Sequence, residues 1–222
     1  MLKYFTIYGE RCSGTNFLLH ALEDNFELDF SCKYAWKHFF GHYEFGMSNE
    51  ENETLFIGII RHPIDWIDSF YNKMHHVPIE NMKNMRSFLF NEFYSLYENS
   101  NKEIMEDRNM ITKERYKNIF ELRYIKNNYL INEMSKLVKN YLLIRYEDLR
   151  DNYEIVLEFI EKKFNLKRKN NFFKKIDTYK GNNRTIYSRK MLELDNNTIK
   201  LIKKNLDKIQ ENNLGYNLSY SI

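Results

Sequence analysis

Short apolar runs alternate along this chain with longer stretches in which apolar residues recur at helical spacing. Residues 3–8 (KYFTIY) form a compact aromatic and β-branched run, the composition of a strand. Gly9 opens a turn, and from Thr15 to Asn25 the apolar positions repeat with a helical period, so strand, loop and helix follow in direct succession. Residues 32–36 predict a second short strand. Thr54–Ile60 (TLFIGII) is an unbroken apolar run of the length expected for a parallel strand buried on both faces. It stops at Arg61, and Pro63 suits the first turn of a helix, where its missing N–H leaves no bond unmade. Trp66, Ile67, Phe70 and Tyr71 continue that helix. Further helices are predicted over residues 84–99 and 112–139, and Tyr141–Arg145 (YLLIR) reads as another buried strand, followed by Tyr146-Glu147-Asp148-Leu149 and a helix reaching Phe164. Residues 178–190 read as a polar loop and 196–210 as a closing helix. The alternation predicts an α/β three-layer sandwich, a central parallel sheet with helices on both faces and ligands at the carboxyl ends of its strands.

Composition narrows the class. At 222 residues the chain suits one domain, and 43% hydrophobic and 16% aromatic content supports a sizeable core and excludes wholesale disorder. Seven Gly and two Pro exclude collagen-like and turn-dense designs. Cys12 and Cys32 with six scattered His offer neither a disulfide framework nor metal-type spacing, so no metal and a reducing compartment are expected. The first strand begins at residue 3, leaving no room for a secretory leader, and no apolar run reaches bilayer length. A soluble, intracellular, cytoplasmic protein with no membrane span is therefore expected. Net charge is +3, from 34 basic and 31 acidic residues, which does not favour nucleic acid as a partner. The charge is uneven: residues 162–190 hold eleven Lys/Arg and one acid, Asp177, a local +10. This run is either a cover for an anionic ligand or a solvated basic face.

Two loops carry the chemistry. Gly9-Glu10-Arg11-Cys12-Ser13-Gly14-Thr15 has the glycine spacing of a phosphate-binding loop between a strand and a helix. The Lys-Ser/Thr that would follow the second glycine in an ATP or GTP loop is replaced by Thr15-Asn16, so a Mg²⁺-chelated triphosphate is not the expected ligand. The helix N-terminus, the hydroxyls of Ser13 and Thr15 and the charge of Arg11 still suit an anion. An ordinary capped turn has the same spacing. A cysteine phosphatase would need Cys-x5-Arg, but Leu18 stands where that arginine belongs. The second loop follows TLFIGII, whose strand ends in Arg61 rather than a metal-binding Asp, with Ser69 eight residues on. Arg61 and Ser69 can share one phosphate; alternatively Arg61 pairs with Asp65 and Ser69 faces solvent.

The pair YGERCSGTNFL and FIGIIRHPIDWIDSFY resembles the sulfotransferases that use 3′-phosphoadenosine 5′-phosphosulfate (PAPS), a family with a P-loop-like α/β fold. LLIRYEDL extends the likeness to about Phe164. The resemblance implies that Arg11, Cys12, Ser13, Gly14, Thr15 and Asn16 form the 5′-phosphosulfate loop and that Arg61 and Ser69 bind the 3′-phosphate. Lys180 and Gly181, with Arg184 nearby, loosely match the family's basic closing loop. It implies PAPS as co-substrate, adenosine 3′,5′-bisphosphate as product, no metal, and a hydroxyl-bearing acceptor, carbohydrate among the candidates. The family commonly places Lys or Arg directly before S-G-T, where Cys12 stands here, so Arg11 is expected to supply that charge.

Sulfuryl transfer to a hydroxyl needs a base for the acceptor proton and a cation for the departing oxygen. In Lys33-Tyr34-Ala35-Trp36-Lys37-His38-Phe39-Phe40, His38 is the first choice for the base and Lys37 for an electrostatic helper; His42, Glu44 and Glu10 are the alternatives. An unperturbed imidazole would give an acidic limb in the rate near pH ~6.5. Arg108, Arg115 and Arg123 are open as acceptor contacts or as ordinary surface residues. Two other functions compete: a non-catalytic nucleotide- or polyanion-binding module, and a phosphotransferase with a degenerate P-loop.

Overall fold

The computed structural model describes residues 1–176 and 193–218. In chain order the elements are β1 (Tyr4–Tyr8), α1 (Thr15–Asn25), β2 (Asp29–Phe30), β3 (Thr54–Ile60), α2 (Pro63–Tyr71), α3 (Met85–Phe90), α4 (Ile119–Asn128), α5 (Met134–Leu137), β4 (Tyr141–Arg145), α6 (Tyr146–Asp151), α7 (Tyr153–Phe164), α8 (Asn196–Asn205) and α9 (Lys208–Asn213). They fall into two compact units: residues 1–61 with 130–190, and residues 62–129 with 191–222. Among the described residues no helix is long and apolar enough to cross a membrane.

The first unit holds a four-stranded, all-parallel sheet in the order β2-β1-β3-β4. All seven residues of β3 are buried, which explains its continuous apolar sequence. Leu18, Ala21 and Leu22 of α1 and Leu157 and Ile160 of α7 are fully buried in the same core as Phe5, Ile7, Ile57 and Ile59. Truncating one of these leucines to Ala costs ~2–5 kcal/mol in such cores. The chain passes from β1 to β2 on one side and then returns to β3 on the other, so the strand order reverses between β1 and β3. In open α/β sheets that switch point is where the carboxyl ends leave a crevice for ligands. The register pairs Tyr8 with Gly58 and Ile60 with Arg145, bringing the loop after β1, Arg61 and Tyr146 to one end of the sheet.

In the second unit, α2 buries Ile64, Trp66, Ile67 and Phe70, with Pro63 in its first turn as its sequence predicts. Asn118 caps α4 by accepting from the N–H groups of Phe120 and Glu121, and Asp195 caps α8 from Asn197 and Thr198.

Several predicted elements differ. Residues 32–36 form a turn, with Ala35 N–H donating to Cys32 C=O and Ala35 at φ 127°, and the second strand lies earlier, at Asp29–Phe30. The apolar residues of that stretch leave the sheet because Tyr34 packs into an aromatic cluster with Tyr43, Phe45 and Phe56. Helix α3 stops at Phe90 rather than continuing to 99, since Phe93 and Leu96 bridge to Tyr116 and Glu103. That same pairing, with Asn109 Oδ1 accepting from the N–H groups of Ile111 and Thr112, keeps residues 112–118 out of α4. The closing helix breaks at Leu206, and Asp207 caps a separate α9.

Candidate functional site

The loop after β1 is held in shape by close packing. A Cβ on Gly9 would lie 2.6 Å from the carbonyl oxygen of Ile59, so only glycine lets this chain pass β3 here. A Cβ on Gly14 would meet the Tyr146 ring at 2.3 Å, and Gly14 also has φ 96°, the left-handed region that glycine enters freely. Cys12 is left-handed as well, at φ 62°, while Ser13 between them is not. Residues of alternating hand turn successive N–H groups toward one side and make a concavity suited to an anion. This concavity runs into the start of α1, where Leu18 makes the first helical bond to Gly14 at 3.0 Å and no side chain caps the helix among the described residues. Within the loop the Ser13 N–H donates to the Glu10 carbonyl at 3.1 Å and the Arg11 N–H to Glu10 Oε1 at 2.7 Å, so it is the first turn of α1 and its helix dipole that favour negative charge there. Ser13 and Thr15 are buried in the loop wall, while Cys12 and Asn16 are half-buried.

Residues 37 and 38 are fastened to this loop through Gly9. The Gly9 N–H donates to the Lys37 carbonyl at 2.9 Å, and His38 Nδ1 stands 2.7 Å from the Gly9 carbonyl oxygen. A carbonyl only accepts, so Nδ1 carries the proton and Nε2 carries the lone pair. His38 is 8% exposed, and burial pushes its pKa down to about 3, against the opposing pull of the Glu10 carboxylate and the Gly9 bond. The imidazole is therefore neutral at physiological pH, and the acidic limb expected near pH 6.5 moves far lower. Lys37 donates through Nζ to Asn16 Oδ1 in the first turn of α1, and burial lowers its pKa below that of an ordinary lysine.

Arg11 lies elsewhere. It is fully buried, its Nε donates to Glu10 Oε1 at 2.7 Å, and its guanidinium sits 5.8 Å from the Phe39 ring. The ammonium beside the open end of α1 thus comes from Lys37, whereas the side chain of Arg11 is part of the loop's support. Glu10 is committed to that buried pair. His42 is half-buried and Glu44 exposed.

Arg61 reaches the same loop from the end of β3, donating from Nη1 to the Cys12 carbonyl at 3.0 Å. Its guanidinium lies 5.0 Å from the Tyr146 ring, which carries Arg150 at 5.6 Å. The sequence reading missed Tyr146 as a site residue, although the signal was present. It follows β4 directly, as Arg61 follows β3, and so sits at the sheet's carboxyl end; β4 itself, at the sheet edge, buries only Ile144 and is not the buried strand its sequence predicts. Ser69 lies half-buried in α2 of the second unit. Lys180, Gly181 and Arg184 lie outside the described residues.

The basic run changes character in three dimensions. Lys167 pairs with Glu27, Arg168 with Glu161, Lys174 with Asp24 and Lys162 with Glu158, so four of its described cations are matched by acids of α1, the turn after α1 and α7. Arg108, Arg115 and Arg123 also hold carboxylates, those of Glu103, Glu92 and Glu211. Comparison with family models and with curated proteins gives no match for this chain.

Proposed function

We propose that the chain is a PAPS-dependent sulfotransferase with the family's three-layer fold, moving the sulfuryl group to a hydroxyl acceptor, carbohydrate among the candidates. One observation carries this reading: a loop of alternating-hand residues at the β1/β3 switch point, lacking a P-loop lysine, with Lys37, His38 and Arg61 gathered on it. Such a loop suits a phosphosulfate better than a Mg²⁺-bound triphosphate. In the reaction the acceptor oxygen bonds to sulfur as the bond from sulfur to the phosphate oxygen breaks. The acceptor proton passes to His38 Nε2 and then to solvent. Lys37 offsets the charge that grows on the departing oxygen. Arg61 takes the 3′-phosphate in this reading.

Calorimetry tests it directly. Adenosine 3′,5′-bisphosphate is expected to bind better than AMP or ATP and to bind equally in EDTA; equal affinity for AMP, or a requirement for Mg²⁺, overturns the assignment. The deep burial of His38 favours a second reading, nucleotide binding without turnover, because a base of such low pKa takes protons weakly. A screen with ³⁵S-labelled PAPS over glycans, small alcohols, phenols and tyrosine peptides separates the two.

A further inference from the structure

Trp36 belongs to neither phosphate loop. It opens a tight turn, Trp36-Lys37-His38-Phe39, closed by the Phe39 N–H donating to the Trp36 carbonyl at 2.9 Å. His38 goes into the interior from this turn, yet Trp36 is 48% exposed, against 1% for the buried Trp66. The place of the indole is set by Lys37, whose Nζ lies 5.6 Å from the ring centroid while bonding Asn16 at the start of α1. A flat, solvent-facing aromatic surface therefore stands at the rim of the anion loop, on the same turn as the candidate base.

A singly exposed apolar side chain is ordinary on a protein surface. What distinguishes this one is its position beside the groups that would do the chemistry, where the surface that meets an incoming acceptor must lie. An indole gives large contact area at small conformational cost, and it binds the flat face of a ring through stacking or CH contacts. We propose that Trp36 is the acceptor platform and that the acceptor bears its reacting hydroxyl on a ring with a flat apolar face, a pyranose or a phenol. This rests on the sulfotransferase reading. The ring lies on the indole, which limits the orientations of the hydroxyl and holds it at the rim of the donor loop, beside Lys37 and Asn16. An open-chain alcohol has no such face and gains no orientation.

The test uses methyl β-D-glucopyranoside, 4-methylphenol and, as the open-chain control, 1,2-hexanediol, titrated by calorimetry into the full chain with and without adenosine 3′,5′-bisphosphate. One ring probe is expected to bind at least about tenfold tighter than the diol, and which one it is separates sugar from phenol. That probe should also perturb the red edge of tryptophan emission, where exposed Trp36 contributes and buried Trp66 does not. Trp36→Ala is expected to weaken the ring probe about tenfold with bisphosphate affinity unchanged, and Trp36→Phe to restore most of it. The proposal is overturned if the diol binds as well as both rings, or if Trp36→Ala binds the ring as the wild type does. It is also overturned if Trp36→Ala weakens the bisphosphate by the same factor, which would put the nucleobase on the indole. Failure of the wild-type chain to bind bisphosphate is a separate result, and it removes the sulfotransferase reading itself.

Discussion

In the second unit Arg123 closes on Glu211 through two bonds of 2.5 and 2.8 Å, with both side chains at most 4% exposed, and Lys126 and Ser95 converge on Asp107. At the first loop, by contrast, Lys37 rests on the amide oxygen of Asn16 and Arg61 on the carbonyl of Cys12. The first arrangement matches each cation to a carboxylate and has nothing to gain from a new anion. The two contacts at the first loop are to neutral oxygens, while Arg11 of the same loop already has a carboxylate in Glu10; a charged phosphate or sulfate oxygen is a stronger acceptor than a neutral one. Buried charge fixes structure in the first case, whereas in the second the half-buried Lys37 and Arg61 are the cations that the sulfotransferase reading assigns to an anionic ligand.

Glu211→Ala tests the closed arrangement and should have the largest effect. It leaves the Arg123 guanidinium buried without its carboxylate, and urea denaturation is expected to show a loss of about 3–5 kcal/mol. Replacing both partners by apolar residues of similar volume should cost much less; an equal cost would mean that packing, not charge matching, holds α9 to α4.

At the open site, His38→Ala is expected to lower turnover about 10²-fold or more while leaving bisphosphate affinity nearly intact. Near-normal turnover on a confirmed acceptor would move the base elsewhere, to Glu44 or His42 first. The same residue has a pH signature. Its folded pKa, about 3, lies below the unfolded value of ~6.5, so the unfolded chain takes up the proton first. The stability gained by burying neutral imidazole is complete above pH ~6.5 and declines as pH falls toward the folded pKa. By pH ~4.5 the loss from this group reaches about 3 kcal/mol. His38→Gln should remove that part of the acid sensitivity, and an unchanged pH–stability profile would show that the ring is not buried neutral.

Arg61→Ala is expected to cost about 2 kcal/mol in binding of the 3′,5′-bisphosphate, and much less for AMP, which lacks the 3′-phosphate. An equal loss for both would show that Arg61 does not read that group. The smallest effect belongs to Lys37. Because burial lowers its pKa, bisphosphate affinity should fall on the alkaline side before an ordinary lysine would lose its proton, and Lys37→Arg should abolish that early decline. Coincident alkaline profiles for the two proteins would remove Lys37 from the anion site.

What sequence could show divides along the same line. The buried run TLFIGII, Pro63 in the first turn of α2 and the Gly9–Gly14 spacing are local patterns, and the structure forms β3, α2 and the loop at those residues. Residues 32–36 misled because a strand-like composition also serves a turn whose aromatic side chain packs elsewhere. The orientation of Arg11 was not legible either. Whether its guanidinium faces the loop or Glu10 depends on Phe39, far along the chain, and the approach of Lys37 to Asn16 likewise joins residues 21 positions apart. Residues 162–176 show the same limit for charge, since the acids that pair with them come from α1 and its following turn as well as from α7.

Gly9 engages residue 37 through its N–H and residue 38 through its C=O. The start of the anion loop and the imidazole are thus mechanically one piece. A displacement of Gly9 meets the imidazole directly at its Nδ1, and Gly9 is a residue that tolerates no Cβ. In the sulfotransferase reading, a ligand that presses on the loop also sets the aim of His38, so that occupancy of the donor site and readiness of the base share a clock.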